Sequence, residues 1–162
     1  MLRQFEHQLQ STLGLNQLAV VTNGTIALQI AFKAAGLKGK VITTPFSYIA
    51  TVSSLVWERC EPVFVDVEPD GFNMDPDKIE SAITPEVTGI LAVHCFGMPC
   101  DVHRIQEIAH KHGLKVIYDA AYAFGSTVDG QSVFQFGVFS ACSLNATKLM
   151  HCIEGGIVFV LV

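Results

Sequence analysis

Two side chains of opposite charge, Asp119 in LKVIYDAA and Lys148 in SLNATKLMHCIEGG, are the residues best placed by type and setting to do chemistry. Lys148 is the only Lys or Arg after Lys115, and it lies in an apolar, Gly-punctuated stretch. In a low-dielectric site an ammonium loses hydration, and the neutral amine becomes a nucleophile toward carbonyls, as in a Schiff-base lysine. The other reading is a structural lysine that snorkels its ammonium to water. Asp119 closes a strand-like run, where a carboxylate serves as a metal ligand, a general base, the partner of a buried cation or a helix cap. No second carboxylate or histidine pattern lies nearby to complete a metal site, which argues against the first of these.

Other polar or aromatic residues fall at similar junctions. Thr22, Asn23, Gly24 and Thr25 follow the run LAVV and open a helical pattern, so backbone N–H groups and a hydroxyl converge on one spot that suits a phosphate. Neither GxGxxG nor GxxxxGK[ST] is present, and an ordinary N-cap turn explains the same residues. Tyr48 follows TTPFS and presents an aromatic ring at a second strand end, either to a ligand or to the core. His94 reads as a satisfied core histidine, and His103, His110 and His112 as solvated positions on a polar helix.

These residues need a scaffold that brings strand ends together. From residue 18 onward, strand-like runs (LAVVTN, KVITTP, PVFVDV, TGILAVHC, KVIYDA, GIVFVLV) alternate with helical ones (GTIALQIAFKAA, SYIATVSSLVWERC, DPDKIESAI, DVHRIQEIAHKH). The spacing of Ile26, Ile30 and Ala34 predicts the buried face of the first of these helices, with Gly36 as its C-cap. Pro76 after Asp75 suits a helix start, and Gly113 a helix stop. Continuous β-branched runs between helices predict a mostly parallel sheet covered on both faces, a three-layer α/β/α domain spanning residues 1–162. Ligands of such sheets collect at the carboxyl ends of the strands, where TNG, TPFSY, HCFG and DAA all fall.

Composition narrows the function classes. Half of the 162 residues are hydrophobic and 15% are charged, with a net charge of −5 and ten basic residues scattered singly. Clustered cations for nucleic acid or an anionic membrane are absent. The five cysteines, Cys60, Cys95, Cys100, Cys142 and Cys152, form no CxxC pair and read as reduced thiols of a cytoplasmic protein. The apolar tail GIVFVLV is too short for a membrane helix and reads as a buried strand.

Taken in order, TNGTIALQIAF, VITTPFSYIATVSSLVW, PVFVDVEPDGFNMDPDKIESAI, AVHCFG, VIYDAAYAFG and CSLNATKLMHCIEGG resemble the DegT/DnrJ/EryC1/StrS sugar aminotransferases of the fold-type I superfamily. Within that family the nearest likeness is to the enzymes that make dTDP-4-amino-4,6-dideoxyglucose. The resemblance implies pyridoxal 5′-phosphate as cofactor, with Lys148 as its covalent anchor and proton shuttle and Asp119 at the pyridine nitrogen. It further implies that Tyr48 stacks on the ring, that Gly24, Thr25 and Ser143 hold the phosphate, and that Tyr122 stands where Gln or His usually addresses the ring oxygen. Leu144 and Asn145 replace the usual Phe and His, and Val138 stands at a position usually acidic. A sister group of dehydratases carries His at the Lys148 position, so Lys favours amino transfer.

The implied reaction moves an amino group from glutamate to a dTDP-4-keto-6-deoxyhexose for O-antigen or related polysaccharide synthesis, in a homodimer without nucleic-acid or membrane partners. Family members are much longer. The resemblance therefore implies the core of the large cofactor-binding domain without the C-terminal small domain, and its alternative is a catalytically incompetent fragment or partner subunit that retains that core. A fold-type I lyase or desulfurase is disfavoured, because no Cys falls on a plausible nucleophilic loop near the site.

Overall fold

Strands that are apolar on both faces are stable only where helices cover both, and the alternation of elements supplies that cover. The computed structural model describes residues 1–161. In chain order the elements are α1 (Leu2–Leu13), β1 (Leu18–Val21), α2 (Gly24–Ala35), β2 (Lys40–Thr43), α3 (Ile49–Trp57), β3 (Glu61–Phe64), α4 (Ile79–Ala82), β4 (Val87–Val93), α5 (Val102–His112), β5 (Lys115–Asp119), β6 (Thr127–Val128), β7 (Gln131–Ser132), β8 (Phe139–Ser143) and β9 (Gly156–Val160). Seven strands form one sheet in the order β1-β9-β8-β5-β4-β2-β3, while β6 and β7 make a separate hairpin. Within the large sheet only β9 runs against its neighbours.

Alternate residues of each strand feed opposite layers, as the pleat requires. Val41, Leu91, Ile117, Ala141 and Val158 meet α2 and α3 on one face. Ile42, Ile90, Ala92, Val116 and Tyr118 meet α4 and α5 on the other. Leu9 of α1 extends that second layer over Cys142, Ile157 and Phe159. Each fully buried Leu, Ile or Phe contributes roughly 1.5–3 kcal/mol relative to exposure. The three-layer α/β/α architecture read from the sequence is the observed one.

Helix α2 turns a different face to the sheet from the one its isoleucines predict. Ala27, Leu28, Ala31, Phe32 and Ala35 are buried, whereas Ile26 and Ile30 are 37% and 42% exposed and Ala34 faces solvent. Both stripes are apolar, so periodicity alone cannot choose between them. The row of alanines at every fourth position lets the helix axis approach the sheet closely, while Phe32 and Leu28 fill the space beside it.

Caps set the helix ends. The Asn23 side chain accepts a hydrogen bond from the Ile26 N–H at 2.9 Å at the start of α2, and Asp101 does the same for Arg104 N–H at 3.0 Å in α5. Gly36 and Gly113 close those helices with φ of 67° and 66°, the left-handed region that glycine enters freely. Asp75 and Pro76 start a single 3-10 turn that leads into α4. Helix α1, the β6–β7 hairpin and strand β8 were not anticipated from the sequence. Among the described residues no helix is long and apolar enough to cross a membrane.

Register aligns the carboxyl ends of the parallel strands. Val93 pairs with Asp119 and Asp119 with Ala141, while Gly156 of β9 pairs with both Val21 and Ser143. The ends of β1, β8, β5 and β4 thus share one edge.

Candidate active site

A cavity of about 880 Å3 opens over that edge, and Gly24, Thr25, Tyr48, Asp119, Tyr122, Ser143 and Lys148 all line it. The seven residues come from the starts of α2 and α3, the last residues of β5 and β8 and the loops that follow them, so the sheet edge gathers what the sequence separates. A shallower groove of about 430 Å3 beside Glu80 and His112 contains none of them.

The α2 end is a close-fitting cradle. An atom added at the Cβ position of Gly24 would meet Ser143 Cβ at 3.0 Å and its Oγ at 3.4 Å, so the serine side chain abuts the helix start. A Cβ at Gly156 would lie 2.3 Å from the Asn23 carbonyl oxygen and 2.9 Å from the Gly24 nitrogen. Glycine at 156 is what permits β9 to run directly beneath this turn. The Asn23 cap is therefore real, and it is compatible with the anion reading. It satisfies the Ile26 N–H, leaving the N–H groups of Gly24 and Thr25 at the open, positive end of the helix.

Asp119 is 6% exposed and held from two sides. Thr51 of α3 donates its hydroxyl to Oδ2 at 2.6 Å, and the Ala121 N–H donates to Oδ1 at 3.2 Å. Because the one Thr51 hydroxyl proton goes to Asp119, the short contact between the Ser47 and Thr51 hydroxyls has Ser47 as donor. Burial pushes the Asp119 carboxyl above the usual range, while the Thr51 and Ala121 hydrogen bonds and the charge of Lys148 pull it down. Both direct donors are neutral. A buried carboxylate in this state is costly until a cationic N–H meets it.

Lys148 is half-buried, not sequestered as its apolar neighbours in sequence predict. The stretch around it folds as an irregular hairpin, with Leu144 N–H donating to Gly155 O at 2.8 Å, Ala146 N–H to Ile153 O at 2.8 Å and Cys152 N–H to Leu144 O at 3.0 Å. This lifts the apolar residues Leu149 and Ile153 to the surface, at 83% and 78% exposure. Asn145 organises the turn: Oδ1 accepts from Thr147 N–H at 3.1 Å and Oγ1 at 3.0 Å, and Nδ2 donates to Glu154 at 2.9 Å. Ile153 has φ of 74°, a left-handed conformation that costs a β-branched residue roughly 1–3 kcal/mol.

The Lys148 ammonium rests on the Tyr122 ring, with Nζ 3.4 Å from the centroid. Hydrogen bonding and charge from Lys148 hold the Tyr122 phenol below its usual range. Of the two influences, the face-on placement fits the charge better than a bond to the phenol oxygen. Tyr48 is 76% exposed at the cavity mouth, away from the core role that aromatics at strand ends often take.

His94 differs from a satisfied core histidine. Its Nδ1 accepts from the Cys100 N–H at 3.0 Å and its ring stacks on Tyr118 at 4.6 Å between centroids, but the buried Nε2 has no partner among the described residues. His94 lines the cavity, and burial pushes its pKa down to about 4. His103, His110 and His112 are exposed, with His103 on Asp129 and His112 on Glu80.

Sequence reasoning missed Thr51, and it marked Asn145 as a replacement for the family's usual His without its role in the turn. Thr51 had one weak signal, a hydroxyl in the first turn of the helix after TPFSY, and the structure buries it fully.

Relatives carry the same framework. A dTDP-4-amino-4,6-dideoxy-D-glucose transaminase of Shigella dysenteriae is 49% identical over 154 residues, 95% of this chain and 42% of that protein. The structure of DesI determined in the presence of its TDP-sugar product superimposes with a TM-score of 0.94 at 36% identity, over 98% of this chain and 41% of that one. The structure of NtdA from Bacillus subtilis with bound cofactor PMP gives 0.93 at 34% identity, over 98% and 36%. This chain thus spans well under half the length of these relatives. The family model matches residues 1–161, and the chain belongs to the DegT/DnrJ/EryC1/StrS aminotransferase family.

Proposed function

We propose that the chain provides the cofactor-binding core of a transaminase that moves an amino group from glutamate to a dTDP-4-keto-6-deoxyhexose, with pyridoxal 5′-phosphate as cofactor. The observation that carries this reading is the pairing of Asp119 and Lys148: a buried carboxylate without a cation in contact and a lysine amine line one cavity, and the charge of one is felt at the other. When bound, pyridoxal phosphate supplies an electron sink for cleaving a bond at an amine-bearing carbon. The residues present fit it. Asp119 answers a protonated ring nitrogen and keeps the proton there, since a neighbouring anion raises that nitrogen's pKa. Gly24, Thr25 and Ser143 at the α2 cradle suit the phosphate, Tyr48 offers a ring face at the mouth, and Tyr122 stands beside the lysine. The Lys148 Nζ would be the amine that holds the cofactor and, when free, would hold and move a proton beside the substrate carbon. Thr51 and Ser47 fix the Asp119 carboxylate so that its charge stays aimed.

The same reading takes residues 1–162 as part of a large cofactor domain whose partner domain supplies much of the sugar site. It takes the active form as a homodimer, and the exposed apolar residues on α2 and α3 support that. A cytoplasmic setting is supported by the five cysteines, all of which are free thiols. A role in O-antigen or related polysaccharide synthesis belongs to the same reading, and the amino-sugar product in the Shigella relative's name supports the sugar class alone.

Adding pyridoxal phosphate is expected to produce a visible absorbance band, and borohydride to remove it while adding mass at Lys148. Lys148→Ala is expected to lose the band and Asp119→Asn to keep it while slowing amino transfer by at least a hundredfold. A band that survives in Lys148→Ala, or normal turnover in Asp119→Asn, overturns the assignment. Transfer assays with glutamate and the keto sugar separate a competent core from an inactive one.

A further inference from the structure

Opposite charges that share a cavity ordinarily close on each other, and here they stay apart. Lys148 is the only Lys or Arg among the described residues that line the cavity, and its Nζ stands 3.4 Å from the centroid of the Tyr122 ring, not on Asp119. The Asp119 carboxylate meets only neutral donors among the described residues, the Thr51 hydroxyl and the Ala121 N–H. Its pull on a cation is therefore unspent.

Backbone on both sides of the lysine–ring contact is tied down. Tyr122 shares a turn with Asp119, closed by the Ala121 N–H on Asp119 Oδ1 and by the Ala123 N–H on Ala120 O at 3.0 Å. A Cβ at Gly97 would meet the Tyr122 carbonyl oxygen at 2.8 Å, so the Gly97 loop is seated against that turn, and Ser126 fastens it by donating its hydroxyl to Gly97 O at 2.7 Å. On the other side the Lys148 N–H donates to Asn145 O at 2.9 Å, and the Asn145 N–H to Ser143 Oγ at 3.3 Å. Desolvation decides between ring and carboxylate. Asp119 is 6% exposed, so an ammonium that reached it would leave water almost entirely. Tyr122 is 47% exposed, and on its face the ammonium keeps water on one side while the ring quadrupole attracts it. A bare π face suffices for that, without the phenol hydroxyl.

We infer that Tyr122 is a positioning residue that holds the Lys148 ammonium on its ring face and so keeps Asp119 unpaired until a cationic nitrogen of a ligand arrives. The inference rests on the pyridoxal phosphate reading above and deepens it: were lysine and aspartate paired in the empty site, that pair would have to break before either could serve the cofactor. With the ring removed, Asp119 is the strongest attraction left to the lysine. A tyrosine that instead addressed the cofactor's ring oxygen would act through its hydroxyl, so Tyr122→Phe separates the two roles.

The test is a carbon-13 NMR titration of the Asp119 carboxyl in the chain without cofactor, its signal identified by its loss in Asp119→Asn. Lys148 is the charge whose place changes. His94 and Glu154 also line the cavity, Cys95 and Cys142 sense Asp119 as thiols that burial pushes up, and all four are the same in every variant compared. Tyr122→Ala and Tyr122→Leu, the second keeping apolar bulk without a ring, are expected to lower the Asp119 midpoint as the freed ammonium approaches the carboxylate. Tyr122→Phe is expected to keep the wild-type midpoint, and Lys148→Met added to Tyr122→Ala to abolish the lowering. On addition of pyridoxal phosphate the visible band is expected to form roughly two- to fivefold more slowly in Tyr122→Ala and Tyr122→Leu, and at the wild-type rate in Tyr122→Phe. Melting curves establish that each variant folds. Three outcomes overturn the role: an unchanged midpoint in Tyr122→Ala and Tyr122→Leu, a lowering that survives Lys148→Met, or a Tyr122→Phe midpoint that matches Tyr122→Ala. Failure of the visible band in wild type defeats the cofactor reading instead, while the titration without cofactor still reports on Tyr122.

Discussion

The direction of the hydrogen bonds at Asp119 shows how a single residue type restricts its neighbours: with one hydroxyl proton available, Thr51 can serve the carboxylate only if Ser47 serves Thr51. The contact between Lys148 and Tyr122 is open to a quantitative check. A double-mutant cycle with Lys148→Met and Tyr122→Ala, read by denaturant unfolding, is expected to give a coupling of about 0.5–1 kcal/mol, and Tyr122→Phe to preserve it. His94 makes stability depend on pH. Its folded-state pKa of about 4 lies below the ordinary 6.5, so the unfolded chain takes the proton first and stability falls as pH drops through that window. Between neutral pH and about pH 5 the loss from this residue is about 2 kcal/mol, and His94→Gln is expected to remove it from the measured profile. The raised carboxyl of Asp119 works in the opposite sense at lower pH, since stability from it is gained, not lost, on protonation. Residue type and position singled out Asp119 and Lys148 in the sequence, and both line the cavity, although the apolar neighbours of Lys148 turn to the surface instead of burying it. The parts played by Thr51 and Asn145 were not legible, because each acts through a bond to a residue that only the fold, or a non-helical turn, brings near.

Elements decide how closely those residues can gather. Strand β9 passes under the start of α2 with no room for a side chain at Gly156. Gly156→Ala is expected to displace the Asn23–Gly24 turn, lower stability by about 1–3 kcal/mol and weaken phosphate-dependent cofactor binding, measured by melting and by titration with pyridoxal phosphate. Most strands and helices were readable because continuous β-branched runs and clear caps are local signals. Strand β8 was not, since FSACS carries two serines that become acceptable only once Ser140 and Ser143 are buried with hydrogen-bond partners. The orientation of α2 was misread for the opposite reason: two apolar stripes competed, and close packing against the sheet chose the alanines.

At the scale of the molecule, the misread stripe becomes surface. Ile26 and Ile30 on α2 and Val56 and Trp57 on α3 are all at least 37% exposed, and the two helices pack together. Apolar surface of this kind promotes association. Sedimentation velocity at rising concentration is expected to show self-association that Ile30→Glu and Trp57→Glu diminish, with melting temperature little changed.

The position of β9 carries one more consequence, for the order of assembly. This strand is synthesised more than 130 residues after β1, yet it alone joins β1 to the rest of the sheet. A chain emerging from the ribosome can pair β2, β4 and β5 and pack α2 on them early, but β1 has no strand to pair with until Gly156–Val160 has been made. The α2 cradle, which Ser143 and Gly156 close from below, is therefore completed late in synthesis, long after α2 itself has been made.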